Sequence, residues 1–316
     1  MWLRNRDHIK PWHLNLKEVP ISLSEHIVYR MHKDRNPLLI TLEDKYKSRA
    51  YVEQHSTCGL SELYYFLEGP KIKIPWTSIP KQCVIKSNHW SGDTIFVIDN
   101  DEEPISGITR TFKLRPLREH GYYLIRNGKD QYGRPWPKWR IEMKLNRLLK
   151  KNFPVSLEWG AYNIQPRGIM IEELLLDNEN RPATDIKIHC FGGKVGYIQY
   201  EPGRFSKIFQ NIHLPNGELI DTKGEQTKWF NDEGVTNLRD HLGADVFDEL
   251  LKIGEDLSKE IDYTRVDLFL TKDGLRFGEF TNYPRSGQPQ SPQWETLGGE
   301  KWTEAKKNFQ LITIDS

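Results

Sequence analysis

The chain has 316 residues, with 45 Lys and Arg against 44 Asp and Glu for a formal charge of +1, which excludes the basic surface of a general nucleic-acid binder. Hydrophobic residues make up 37% and mean hydropathy is −0.67, yet ten Trp, 13 Tyr and 13 Phe supply packing area, so a disordered chain is excluded as well. No run approaches the ~20 apolar residues that span a bilayer, and the stretch from Met1 to His8 lacks the apolar core of a signal peptide. Three scattered cysteines (Cys58, Cys83 and Cys190) have neither metal nor redox spacing. A cytoplasmic protein with no membrane span and no nucleic-acid partner is expected.

In chain order, the first predicted element is a helix over Leu42–Val52. Pro70, Pro75 and Pro80 then interrupt the chain, so 68–81 reads as a connector. Cys83–Lys86 is a short strand and Thr94–Ile98 a second. The loop between them, Ser87-Asn-His-Trp-Ser-Gly-Asp93, is rich in small donors that can wrap a phosphate with backbone N–H groups. Lys86 adds a point charge at its entrance. An ordinary hairpin with a surface lysine is the competing reading.

A helix follows from Trp139 to Phe153, with Ile141, Leu145, Leu148 and Leu149 on one apolar face and Arg140, Lys144, Arg147, Lys150 and Lys151 around the rest. It reads as a solvated packing helix, with an anionic-substrate or membrane-surface patch as the lesser alternative. Strands are predicted over 168–176, 183–191 and 194–200, the last two joined by the Gly192-Gly193 turn. Asp185 and Lys187 share one face of their strand, as a cross-face salt bridge or as site residues. Residues 211–226 are polar and turn-rich, and Asp245–Ser258 is an amphipathic helix. After a hairpin over 263–281 and an irregular loop over 283–292, the chain closes on Trp294–Trp302 and a short helix.

The hairpin is the most informative segment. A three-residue loop, Lys272-Asp273-Gly274, with Gly at the left-handed position, sets Asp267 opposite Glu279, Phe269 opposite Phe277 and Arg265 opposite Thr281. Carboxylates facing each other at about 5 Å repel unless a cation lies between them. Hard oxygen ligands suit Mg²⁺, which binds one or two carboxylates and completes its shell with phosphate oxygens. Two alternatives stand beside this: Arg276 or a lysine neutralises the pair, or the register differs by one residue.

Taken in order, these signals resemble the ATP-grasp superfamily, and in finer wording its teichuronopeptide-biosynthesis (TupA-like) branch. The residues that carry the resemblance are Val84-Ile-Lys-Ser-Asn-His89 with Ser91-Gly92, Glu158-Trp159, Pro166-Arg-Gly-Ile-Met-Ile-Glu-Glu-Leu174, Asp185-Ile-Lys187 and Phe191-Gly-Gly-Lys194. They continue with Arg265-Val-Asp-Leu268, Gly278-Glu-Phe-Thr281, Tyr283-Pro284 and Gly287, so the match runs from about Asp44-Lys45 to Gly298.

The resemblance implies an α+β ATP-grasp fold, two lobes clasping ATP: an N-terminal region over 1–80, a small lid lobe over 81–170 and a C-terminal lobe with the metal site over 171–316. It implies that Lys86 and Lys187 contact the nucleotide phosphates beneath the loop of Ser87, Asn88, His89, Ser91 and Gly92. Glu172, Glu173 and Leu174 would form the adenine hinge. Asp267 and Glu279 would hold Mg²⁺, and Arg265, with Lys187, would steady the transferring phosphoryl group or the tetrahedral intermediate. For Lys45 and Arg49 on the Asp-Lys helix it leaves the role open.

Three positions depart from the family pattern: Thr281 replaces the Asn of Glu-x-Asn, Trp90 stands where Gly is usual, and Ile186 replaces Tyr in Asp-Tyr-Lys. The implied activity is an ATP- and Mg²⁺-dependent carboxylate–amine ligase, working through an acyl phosphate. It would join an amine or amino acid to a carboxylated, uronic-acid-type sugar in bacterial surface-polysaccharide or capsule synthesis, in peripheral association with the assembly machinery. Arg204, Arg285 and Thr281 are the substrate-binding choices. The alternatives are a phosphotransferase (kinase) on a sugar or polyol, and a non-catalytic nucleotide-binding subunit of a glycan complex.

Overall fold

The computed structural model describes residues 8–98, 122–130, 133–201, 211–220 and 235–309. Two six-stranded sheets organise the chain. The first is built from Leu63–Glu68 (β2), Gln82–Ser87 (β3), Thr94–Ile98 (β4), Tyr122–Arg126 (β5), Lys129–Asp130 (β6) and Gly168–Glu172 (β7), in the order β2-β7-β3-β4-β5-β6. The second holds Gly59–Leu60 (β1), Thr184–Phe191 (β8), Lys194–Glu201 (β9), Asn211–His213 (β10), Tyr263–Thr271 (β11) and Gly274–Thr281 (β12), in the order β1-β12-β11-β8-β9-β10. Strand β2 thus joins the lid sheet although it precedes residue 81, and β1 joins the other sheet.

Side-chain alternation decides which face of each strand meets the cleft between the sheets. On β3, Cys83 and Ile85 enter a core with Ile95, Ile169 and Ile171, capped by Ile141 and Leu145 of the helix Lys138–Leu149 (α4). Val84 on the opposite face packs with Phe96, Tyr122 and Leu174. On β8, Ile186, Ile188 and Cys190 point into the second core, beneath Phe247, Leu250 and Ile253 of the helix Ala244–Leu257 (α7). Asp185 and Lys187 therefore point the other way. Strand β11 repeats the pattern, with Val266 and Leu268 inward and Arg265 and Asp267 toward the cleft.

The structure corrects four expectations. The single helix over 42–52 is two helices, Leu38–Glu43 (α2) and Lys47–His55 (α3), following Leu23–Lys33 (α1). Asp44 stops the first and caps the second, its Oδ1 accepting from Tyr46 N at 2.9 Å and Lys47 N at 3.2 Å. Strand β7 ends at Glu172 rather than at 176, where the chain leaves the lid sheet. The closing helix is Pro292–Lys306 (α8), fifteen residues running through Gly298-Gly299. Those glycines admit a close neighbour: a Cβ at Gly299 would lie 2.0 Å from Ile21 O. Packing overrides the breaker signal there.

The fourth correction concerns the hairpin. Thr271 pairs with Gly274 (φ +94°), so Phe269 faces Arg276 rather than Phe277. A bulge between Asp267 and Leu268, opposite Gly278, shifts the register back by one, and the pairs Asp267–Glu279 and Arg265–Thr281 form as expected.

Candidate functional site

A cleft of about 620 Å³ lies between the two sheets. Its apolar wall is Val84, Phe96, Tyr122 and Leu174, the last on the stretch Glu172–Leu175 that leads from the lid sheet to the other lobe. Phe96 and Tyr122 meet edge to face at 5.7 Å between ring centres. The polar floor is supplied by Asp185, Lys187 and Glu201 of β8 and β9 and by Arg265, Asp267 and Glu279 of β11 and β12. Lys86, Ser91 and Gly92 close it from the lid side, and Lys45 reaches in between α2 and α3. One end of the cleft is shaped for a flat apolar group, the other for charge.

Every cation in the floor is paired. Lys86 bonds Glu172. Lys187 sits between Asp185 (3.0 Å) and Glu201, which face each other directly across β8 and β9. Arg265 grips Asp267 with two bonds of 2.6 Å and also donates to Thr281 Oγ1 at 3.0 Å. Lys45 Nζ lies 3.1 Å from Glu279 Oε2. Burial pushes Lys187 toward its neutral form, but Asp185 and Glu201 outweigh it and hold the ammonium charged. Burial also raises the Asp267 carboxyl above its usual range, against the pull of Arg265 and Lys187. At Glu279 burial is outweighed by Lys45 and then Lys86, so that carboxylate stays ionised in acid.

Among the described residues, no group of three or more His, Cys, Asp or Glu is close enough to hold a metal ion alone. Asp267 and Glu279 offer hard oxygen donors directly opposite each other on adjacent strands. That set fits Mg²⁺ whose shell is completed by phosphate oxygens, and it does not fit a metal caged by protein alone.

Of the expected residues, Lys86, Ser91, Gly92, Glu172, Glu173, Leu174, Lys187, Arg265, Asp267 and Glu279 converge on this cleft. Ser87, Asn88 and His89 lie buried beneath it. Asn88 donates to Asp44 Oδ1 and Pro166 O, both at 3.0 Å, and accepts from Gly168 N at 2.9 Å. Burial drops His89 to a pKa of about 4, a neutral ring beside Trp90. Trp90 packs edge to face on Phe153 at 6.2 Å, within the lid. Thr281 is a partner of Arg265, away from the cleft surface. Arg285 stands at the head of a left-handed turn, with Arg285, Ser286 and Gly287 at φ of +51°, +55° and +67°. Arg204 lies outside the described residues.

The basic face of α4 is engaged in the lid: Lys144 donates to Asp93 Oδ1 at 2.7 Å and Tyr123 Oη at 3.1 Å. Sequence reasoning missed Glu201, whose signal was its place opposite Asp185 at the end of β9 with a lysine between them. It left Lys45 without a role, because nothing local indicates that a residue between two helices meets Glu279.

Two sheets closing on a cleft with an apolar slot, basic side chains and paired carboxylates define the ATP-grasp class. The chain belongs to the TupA-like ATP-grasp family, which it matches over residues 25–300. Similar solved structures include D-alanine–D-alanine ligase from Bacillus anthracis, 15% identical with a TM-score of 0.44, covering 87% of this chain and 68% of that one. Another is the ATP-grasp ligase PsnB with its minimal precursor, 11% identical at a TM-score of 0.40 over 85% of this chain and 62% of its own. A third is L-amino acid ligase from Bacillus licheniformis, 12% identical at 0.38 over 81% and 44%. The chain thus spans less than two thirds of PsnB and under half of the L-amino acid ligase. No curated protein matches the sequence. No helix among the described residues is long and apolar enough to cross a membrane.

Proposed function

We propose that this protein is an ATP- and Mg²⁺-dependent carboxylate–amine ligase that joins an amine or amino acid to a uronic-acid-type sugar of a bacterial surface polysaccharide. The observation that carries the reading is the meeting of Lys86, Lys187, Arg265 and the Asp267–Glu279 pair in one cleft, beside the apolar slot of Val84, Phe96, Tyr122 and Leu174. The sugar part rests on the family resemblance alone.

Bound nucleotide supplies a phosphoryl group that turns the carboxylate oxygen into a good leaving group. A carboxylate oxygen attacks the terminal phosphorus and ADP departs with the electrons of the broken P–O bond. The amine nitrogen then attacks the acyl carbon, loses a proton to solvent or a base, and expels phosphate. Lys86 and Lys187 bind and orient phosphate oxygens, and Arg265 spreads the charge that builds during transfer. Asp267 and Glu279 would hold Mg²⁺, which would supply positive charge to offset that of the phosphates. The Ser91-Gly92 loop and the apolar wall keep water from the activated acyl group.

The test is ADP release measured with panels of uronic-acid sugars and of amines or amino acids. Release that requires both a carboxylate and an amine is expected. Release with a stable phosphorylated sugar and no amine requirement would establish a kinase in its place.

A further inference from the structure

The metal-side carboxylate Glu279 is held by a residue that belongs to neither strand of the hairpin. Lys45 lies between α2 and α3, and its ammonium sits 3.1 Å from Glu279 Oε2. Its side chain is only 16% exposed. Its backbone is tied to the opposite lobe: Lys45 N donates to Asn88 O at 3.1 Å, at the entrance of the Ser91-Gly92 loop. Asp44, next to it, accepts from the Asn88 side chain at 3.0 Å. Asn88 N in turn donates to Gly168 O on β7. The segment that carries Lys45 thus bridges the two sheets: its backbone is bonded to Asn88, while the flanking α2 and α3 pack on the second sheet, where its charge rests.

We propose that Lys45 is a nucleotide-binding residue and a placeholder for the metal: in the nucleotide-free protein it neutralises Glu279, and on nucleotide binding it passes to a phosphate oxygen as Mg²⁺ takes the carboxylate. This rests on the ligase reading above, in that the ligand is a nucleotide with its cation. The physical argument is charge balance. A divalent ion on the Glu279 carboxylate cancels the charge that holds the ammonium there and repels it at close range. The displaced ammonium is too buried to be left alone, so it needs a new anion within the cleft. Lys86 and Lys45 line the same cleft, where one phosphate chain can meet both. Asn88 holds the Lys45 backbone beside the phosphate-facing loop, so the side chain can reach a phosphate oxygen without moving its backbone.

The experiment compares wild type, Lys45→Ala and Lys45→Arg by calorimetry, with Mn²⁺ alone as one probe and ATP in excess chelator as the other. Lys45→Ala is expected to bind Mn²⁺ about 10-fold or more tightly than wild type in the absence of nucleotide, and ATP about 10- to 100-fold more weakly. Lys45→Arg is expected to recover most of the ATP affinity. Opposite signs for the two probes separate this role from simple damage to the fold, which weakens both. Unchanged binding of both probes, or loss of both with a normal thermal melt, overturns the inference. Should Lys45→Ala melt abnormally, Lys45→Gln is read by the same two signs. Wild type that binds no ATP at all overturns the ligase reading instead, and is recognised before any variant is compared.

Discussion

At the scale of single residues, the floor of the cleft is built from charges that neutralise one another until a ligand arrives. Asp267 is nearly buried and both its oxygens are held by Arg265. Replacing it with Asn breaks a bidentate pair and leaves a guanidinium without its counter-charge, a change that costs about 3–5 kcal/mol when fully buried. Asp267→Asn is therefore expected to melt well below wild type and to show no Mg²⁺-dependent shift on adding ATP, measured against its own baseline. Ligase turnover should fall by about 100-fold or more, the scale seen when one preorganised electrostatic partner is removed. A variant that keeps a full Mg·ATP shift would remove Asp267 from the metal site.

Elsewhere, buried carboxyl groups act as proton stores. Among the described residues, Glu158 forms no ion pair. Burial raises its pKa to about 8, against the hydrogen bond from Ser286 Oγ at 2.5 Å, and Glu43 adds repulsion. Glu43 itself is pushed up to about 7 by burial, although it accepts from Asn282 N at 2.7 Å. For a carboxyl raised in the folded state, the native protein holds more protons than the unfolded chain. Stability from this source is present in full below the ordinary carboxyl pKa of 4.5 and is lost as pH rises toward 8. His26 works in the opposite sense over pH 3 to 6.5, since burial lowers it to about 3. Glu158→Gln leaves the His26 contribution in place and removes that of Glu158. Its melting temperature relative to wild type should therefore climb steadily between pH 5 and pH 8, by the equivalent of about 3–4 kcal/mol. A constant gap would show that Glu158 is ionised in the native protein.

At the scale of elements, the β11–β12 hairpin carries the site only because two departures from regular pairing cancel. The tight loop moves the register by one residue, and the bulge at Gly278 moves it back before Glu279. A Cβ at Gly278 would lie 2.8 Å from the Phe269 ring and 3.0 Å from Asp267 O, one of them backbone. Gly278→Ala is thus expected to cost about 1–3 kcal/mol by overpacking and to move Glu279 off Asp267. Nucleotide-dependent metal binding should weaken more than the melting temperature suggests. Calorimetry with Mg·ATP on the folded variant checks it, and wild-type affinity would show that the bulge is dispensable.

The left-handed turn of Arg285, Ser286 and Gly287 is a second element that depends on distant partners. Ser286 O accepts from Trp12 Nε1 at 3.1 Å and from His13 Nε2 at 2.8 Å, while its hydroxyl is bound to Glu158. Side chains from the start of the chain and from the segment before β7 hold a conformation that non-glycine residues rarely adopt. The sequence around 283–292 reads as irregular because the partners that shape it lie more than a hundred residues away.

At the scale of the whole molecule, two lobes meet over a floor whose carboxylates are already neutralised by lysine and arginine. Free Mg²⁺ must displace those side chains without help, whereas nucleotide brings phosphates that receive them. Divalent binding to the nucleotide-free protein should consequently be weak, in the millimolar range or above, and should tighten by at least about 10-fold when nucleotide is present, the scale of an ordinary coupling between sites. Titration of Mn²⁺ with and without a non-hydrolysable ATP analogue measures this. A tight site without nucleotide would mean that Asp267 and Glu279 serve another purpose. Away from the cleft, the buried Arg30 donates to the carbonyls of Tyr263 and Asn282 at 2.8 and 3.2 Å and so clamps both ends of the β11–β12 hairpin to α1.

Much of the site was legible in the sequence because strand alternation is local: once Arg265-x-Asp267, Asp185-x-Lys187 and Val84-x-Lys86 are read as strands, the faces they share follow from the period of two. The facing of Asp267 and Glu279 was legible for the same reason, although the loop is one residue shorter than read and a bulge that the sequence did not announce makes up the difference. The alternative that protein cations neutralise the pair also had substance, with Arg265 and Lys45 in the part given to Arg276. The break at Asp44 in the first predicted helix was open to a local reading, since its capping partners are Tyr46 and Lys47, and tertiary structure added only the bond from the distant Asn88. Tertiary structure alone set Glu201 against Lys187, brought Lys45 to Glu279 and moved Ser87, Asn88 and His89 from the cleft into its support. The reason is physical. Alternation and capping are set by neighbours in the chain, whereas an ion pair between two lobes depends on loop closures whose outcome no local residue pattern encodes.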